Sequence, residues 1–153
     1  MPGAHDSRLA TKEIVDFHEF LESWFRGLLP KDEAVFDTFA ARLRPKGLII
    51  QPSGSEASLD DFANWLWGAH GINDAFRIQI RNCQVLEVLE GGAQLVRYEE
   101  WQKGAKNSDP PNNARVATVL LEPDSRAANG LVWLHVHETD LPRSRVAEDP
   151  FDF

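Results

Sequence analysis

An α+β fold, three N-terminal helices packed on a strongly curved and mainly antiparallel sheet, is predicted by three observations. Helical periodicity fills the first part of the chain and two-residue alternation fills the rest, and runs of helices followed by runs of strands define that class. One strand loses its alternation by a single residue at Asn82-Cys83, the signature of a β-bulge, which bends and twists a sheet. The stretch Gly130-Leu-Val-Trp133-Leu-His135-Val-His137-Glu-Thr139 carries hydrophobic and ionisable side chains on both faces, so something packs against each side of it. A sheet bent around helices leaves a hollow at its mouth, a common place for a small-molecule pocket.

The elements follow in order. Ile14, Phe17, Leu21, Trp24 and Leu28 recur at steps of three and four, one face of a helix over Thr11 to Leu29. Thr11 is its N-cap, Glu13 lies in its first turn and Pro30 stops it. Val35, Phe36, Phe39 and Leu43 predict a second helix, opened by Asp32 and Glu33 and closed before Pro45. Gly47 to Gln51 reads as a short strand ending at Pro52. Ser58-Leu-Asp-Asp61 fits a capping box with Asp in place of Glu, starting a third helix with Leu59, Phe62, Leu66 and Ala69 on one face and Gly71 at its end.

Phe76, Ile78 and Ile80 alternate with Arg77, Gln79 and Arg81 as the first strand of the sheet proper. After the slip, Val85 to Leu89 resumes the alternation, and Glu90-Gly91-Gly92 is a hairpin turn. Ala93 to Lys103 is the next strand, and Lys106 to Asn113 is a loop by composition. Arg115 to Glu122 and Gly130 to Thr139 close the sheet around Pro123 to Asn129. One domain over residues 11–141 is expected, with terminal tails at 1–10 and 142–153; the second tail either docks through Phe151 and Phe153 or stays disordered or packed on itself.

Length and composition agree with that reading. A chain of 153 residues with 42% hydrophobic and 26% charged content buries a core without staples. The single cysteine, Cys83, excludes an intrachain disulfide and points to a reducing compartment. There is no apolar run of membrane-spanning length, and the N-terminus lacks the basic-then-apolar order of a signal peptide. A cytoplasmic protein is expected. A net charge of −8 with scattered basic residues argues against nucleic acid as a partner.

The element order, closed by Trp133 and His135-Val-His137-Glu-Thr139, resembles the nuclear-transport-factor-2-like superfamily over roughly residues 11–141. That superfamily includes SnoaL-like polyketide cyclases, ketosteroid isomerases and the association domain of calcium/calmodulin-dependent kinase II. The resemblance implies a cone-shaped α+β barrel that dimerises through its sheet. The last strand is similar to the Trp…His-Phe-His-Arg-Ser ending of the kinase association domain, with Glu138 where that motif has Arg, so an anion-binding role does not carry over. Ile50 to Glu56 looks like the isomerase segment Glu-Asp-Pro-Val-Gly-Ser-Glu, in which the Asp is the general base. Gln51 stands at that position here and cannot accept the proton. The isomerase's oxyanion Tyr lies on its first helix, whereas the only tyrosine here, Tyr98, is on a strand. The isomerase mechanism is therefore unsupported.

Several residues are candidates for a site. Glu138, opposite the histidines, either titrates in the hollow as a general acid/base or pairs with Arg97 or Arg115 at the rim. Glu99 and Glu100 are consecutive, so one of them faces inward whichever register holds; Glu99 is taken with Glu138 as the catalytic candidate. Gln51, Trp65, Tyr98, Trp101, His135 and His137 are the candidate ligand contacts. The His-x-His pair lacks an evident third ligand, and no metal or other cofactor is expected. Cys83 reads as a packed small hydrophobe. The expected function is a SnoaL-type small-molecule-binding domain, its partners a small apolar or carbonyl-containing ligand and a second copy across the sheet. Any chemistry would be cofactor-free acid/base catalysis of the cyclase, isomerase or dehydratase class; the alternative is a non-catalytic association module.

Overall fold

The computed structural model describes residues 7–153; the expected tail over 1–10 and the reading of the N-terminus lie outside the described residues for 1–6. The order is α1 (Ser7–Phe25), α2 (Glu33–Ala40), β1 (Leu43–Ile50), β2 (Glu56–Ser58), α3 (Leu59–Trp67), β3 (Arg77–Val88), β4 (Gln94–Lys103), β5 (Asn113–Pro123), β6 (Leu131–Asp140) and α4 (Arg143–Ala147). Among the described residues six strands form one sheet in the order β2-β1-β6-β5-β4-β3. The β1–β6 pair is parallel and the other pairs are antiparallel. This is the α+β architecture expected, with one short strand, β2, that the sequence did not announce.

The helix boundaries move for local reasons. α1 starts before Thr11, whose hydroxyl lies 3.6 Å from the Cys83 Sγ and caps nothing. Glu13, expected in a first turn, sits fully buried on the same stripe as Ile14, Phe17, Leu21 and Trp24. α1 ends short of Pro30 because Gly27 takes φ 72°. The Gly27 N–H donates to the Trp24 carbonyl at 3.0 Å and the Leu28 N–H to the Ser23 carbonyl at 2.9 Å, a Schellman closure that needs the left-handed conformation glycine tolerates. A Cβ at Gly27 would also lie 3.2 Å from the Gly71 Cα, where the loop after α3 crosses.

α2 is capped as expected by Asp32, whose side chain accepts from the Ala34 and Val35 N–H groups. It ends at Ala40, and the chain is already β1 at Leu43, so Pro45 lies inside a strand. The β1–β6 ladder is interrupted between Leu43 and Leu48, and a proline with no N–H to donate fits that gap. Ser58 caps α3 through the Asp61 N–H at 3.0 Å, as the capping box predicted, although α3 stops at Trp67 rather than near Gly71.

The slip in β3 is a bulge: register breaks between Arg81 and Gln84, and again between Val85 and Glu87, with Asn82 at φ 52°. A second bulge, unforeseen, lies in β6. Leu120 pairs with His135 while the adjacent Leu121 pairs with Trp133, leaving Leu134 as the extra residue. Trp133 therefore shares the inner face with Val136 and Glu138, all three lining the cavity described below, while His135 and His137 alternate to the outer face.

The concave face holds the core, where Ile14, Phe17 and Trp24 of α1 join Phe39, Leu66, Val119 and Trp133. The C-terminal segment packs on the convex face. Phe151 is buried against Trp101 at 5.6 Å between ring centroids. Arg81 pairs with Asp149 at 2.7 Å and stacks its guanidinium 4.1 Å from the Trp101 ring centre. Residues 142–153 thus form a strap anchored on this face by Phe151 and Asp149.

Candidate functional site

The sheet and helices enclose a cavity of about 350 Å³, within the range of small-molecule sites. Aromatic side chains build its walls: Phe17 and Phe25 from α1, Phe62 and Trp65 from α3, and Trp133 from β6. Trp65 stands at the mouth, 57% exposed, its ring centre 5.9 Å from Phe25 and 6.2 Å from Phe62. Helix periodicity puts Trp65 on the edge of the stripe that Leu59, Ala63 and Leu66 bury, which leaves it free to face the opening.

Polar groups line the opposite side, where β4, β5 and β6 present one face each. His18 of α1, one turn after Ile14, has its Nδ1 2.7 Å from the Ile14 carbonyl and its Nε2 3.1 Å from Glu100 Oε1. Gln102 Nε2 donates to Glu100 Oε2 at 2.6 Å. Arg115 donates from Nη2 to Gln102 Oε1 at 3.3 Å and from Nη1 to Glu138 Oε1 at 3.4 Å. One chain of hydrogen bonds therefore runs across three strands and a helix.

Burial and mutual charge set the proton inventory. Burial opposes ionisation of Glu100, but the His18 imidazole and the Arg115 guanidinium outweigh it and bring its pKa down to about 2. Burial likewise opposes the charge on His18, which Glu100 and the Ile14 carbonyl nonetheless hold above its ordinary value. Both ring nitrogens then donate. Glu138 goes the other way: burial first, then the neighbouring Glu100 charge, push it up to about 7 despite Arg115. Burial also raises Tyr98 well above its ordinary value, so its hydroxyl is neutral and can donate or accept. Of the two carboxylates in this site, Glu100 stays ionised and Glu138 can take up or release a proton near neutrality, and both can accept hydrogen bonds from ligand hydroxyls.

Of the residues singled out from the sequence, Glu138, Gln51, Trp65 and Tyr98 line this cavity, and Glu138 does so while paired with Arg115. Glu99, Trp101, His135 and His137 do not, and the reason is strand parity. In β4 the inward positions are Tyr98, Glu100 and Gln102, so Glu99 and Trp101 face the strap. Arg145 grips Glu99 there at 2.7 and 2.9 Å and the Trp101 Nε1 donates to it at 3.0 Å. Although burial opposes it, that grip lowers the Glu99 pKa, which unfits it as a proton carrier. The histidines are on the outer face of β6 for the same reason. Among the described residues no group of three or more His, Cys, Asp or Glu is arranged to hold a metal ion.

Sequence reasoning missed His18, Glu100, Gln102 and Arg115 as parts of one network. A signal existed for His18: it is an ionisable residue spaced four after Ile14 on an apolar helical stripe.

Residues 10–142 match the family described as Sucrose-6-phosphate phosphohydrolase C-terminal. Among curated proteins, sucrose-phosphatase 2 of Nicotiana tabacum is 33% identical over 131 residues, covering 84% of this chain and 30% of that protein. The chain thus spans about 30% of the length of the curated relative it matches. An NTF-2-like protein of unknown function from Pseudomonas aeruginosa superposes with a TM-score of 0.74 at 21% identity, covering 88% of this chain and 99% of that one. The CaMKII hub of S. rosetta gives 0.68 at 13% identity, covering 90% and 98%. The structural likenesses establish the nuclear-transport-factor-2-like fold that the element order suggested. The family match overturns the functional expectation: the domain is not of the SnoaL-type cyclase, isomerase or dehydratase kind, and the association-module alternative falls with it. The error arose because a shared fold hosts unrelated functions.

Proposed function

Because the chain belongs to the sucrose-6-phosphate phosphohydrolase C-terminal family, we propose that it serves sucrose-phosphate hydrolysis as an accessory domain that holds a sugar. The observation that carries this is the two-sided cavity. Aromatic rings from α1 and α3 offer flat apolar surface for the C–H faces of a sugar, and the Glu100–Gln102–Arg115–Glu138 network offers fixed donors and acceptors for its hydroxyls. A polyol can add hydrogen bonds to the carboxylate oxygens of that row, which an apolar ligand could not supply.

Calorimetric titration with sucrose tests the reading. Saturable binding is expected, weakened about tenfold, or ~1.4 kcal/mol, by Trp65→Ala, which removes a ring at the mouth and touches little of the core. Absence of saturable binding up to high millimolar sucrose would refute it.

The partner surface we propose is the uncovered part of the convex face, for a second copy of the chain. Leu120, Leu134 and His135 are half-buried there and His137 is exposed, while the strap covers only the region around Trp101. Sedimentation equilibrium should report a dimer that Leu134→Asp disrupts; a monomer at all concentrations would sink it. Among the described residues no helix is long and apolar enough to cross a membrane, and with a single cysteine the cytoplasm is the location we propose.

A further inference from the structure

We infer that, of the two sugars related by hydrolysis of a sucrose phosphate ester, this cavity takes the neutral one and turns away the phosphorylated one. The inference rests on the sugar-binding reading above and deepens it: the domain becomes a sensor of product rather than a second grip on substrate.

A phosphate would need cations in the cavity to hold it. Phosphate recognition draws on uncommitted guanidinium or ammonium groups. Among the described residues three basic side chains line the cavity: His18, Arg115 and Lys106. His18 has both nitrogens engaged, one by the Ile14 carbonyl and one by Glu100. Arg115 gives its two terminal nitrogens to Glu138, Gln102 and Asn113. Its remaining Nε has no partner, but it is buried, with almost no accessible surface to offer a ligand. Lys106 stands at the exposed rim, 3.4 Å from the Ile72 carbonyl. It is a solvated point charge on a flexible stem, and screening leaves it little hold on an anion.

The carboxylates complete the inventory. Glu100 and Glu138 are both in the polar wall, and each is already the counter-ion of one of its cations. A phosphate dianion reaching the polar wall would find two acidic groups and only cations already paired, with Lys106 left at the solvated rim. The Glu100 charge contributes to pushing Glu138 up to about 7, so the field there already disfavours one further negative charge, let alone two. A net charge of −8 adds a repulsive field at longer range. A neutral sugar meets none of this. Its hydroxyls can donate to the carboxylates and accept from the Tyr98 hydroxyl, and its uncharged rim is at home between Phe62 and Trp65.

The test is a parallel titration of the full chain at pH 8 with sucrose, sucrose 6-phosphate and inorganic phosphate. Sucrose is expected to bind at least about thirtyfold tighter than its phosphate ester, and inorganic phosphate is expected not to compete with it. In Glu138→Gln, which keeps the size of the side chain and removes its charge, the preference for sucrose over sucrose 6-phosphate should narrow about tenfold. Equal or tighter binding of the phosphorylated sugar to the wild-type chain overturns the inference and leaves the sugar-binding reading standing; that comparison needs no variant to fold. Failure of both sugars to bind refutes the sugar-binding reading itself and removes the inference with it.

Discussion

Replacing Glu13 by alanine is expected to lower the unfolding free energy by about 3–5 kcal/mol, the cost of breaking a buried ion pair from one side. Glu13 is fully buried in α1, and its carboxylate ties together three elements. Oε1 accepts from the Arg42 guanidinium ahead of β1 and from Asn129 Nδ2 in the β5–β6 turn at 2.9 Å, and Oε2 accepts from Trp133 Nε1 at 2.8 Å. Truncation takes the acceptor from three donors, one of them charged; Asn129 keeps Asp16, but the Trp133 Nε1 is left buried where water cannot replace the carboxylate. For a chain of this size the loss corresponds to a fall in Tm of about 10 °C. Glu13→Gln keeps the shape and one acceptor, and should fall between wild type and Glu13→Ala. Thermal unfolding followed by circular dichroism measures both; a loss below about 1 kcal/mol for Glu13→Ala would show that the cluster is not holding the helix to the sheet.

The pH dependence of stability is expected to be governed by Glu138, and Glu138→Gln should remove much of it. In the unfolded chain this carboxyl titrates near 4.5, and in the folded protein at about 7. Its folded pKa is raised, so the folded state binds the proton more tightly. The stabilisation is complete below the unfolded value, is lost as pH rises from about 4.5 through about 7, and is gone above that. Glu100 has the opposite sign: with its pKa brought down to about 2, its contribution is present above 4.5 and lost as pH falls toward 2. His18, held above its ordinary value by Glu100, contributes below its unfolded pKa and loses that contribution on the alkaline side. Stability is therefore greatest on the mildly acidic side of neutrality. Relative to wild type, Glu138→Gln should gain on the order of 2 kcal/mol between pH 4.5 and pH 8, read from urea unfolding at both. Parallel pH profiles for the two proteins would mean that Glu138 is not held in the buried, charge-opposed setting described.

The fold was legible because its helices and most strands obey simple periods. The stripe from Ile14 to Trp24 and the alternation from Phe76 to Arg81 each point one way, and the slip at Asn82-Cys83 revealed the bulge that bends the sheet. What stayed hidden has a physical cause at each place. In β4 the run Glu99, Glu100, Trp101, Gln102 is buried throughout, since the cavity lies on one side and the strap on the other. Alternation disappears when both faces are covered, so sequence period could not choose between the two glutamates. The register of Trp133 was hidden because the Leu134 bulge offsets it from Val136. The end of α1 was misplaced because Pro30 was read as the stop, whereas Gly27 had already reversed the chain. The function was misread for a different reason: the resemblance lay in the fold, which hosts unrelated functions, while the family match extends over residues 10–142.

The extra residue at Leu134 acts as a phase offset in β6. Without it, counting by twos from an inward Trp133 would direct His135 and His137 into the cavity and Val136 and Glu138 out of it. The same ten-residue word would then spell a wall of imidazoles in place of an acid that titrates near neutrality. The chemical character of the interior is thus set less by which residues the last strand contains than by where the strand skips a beat.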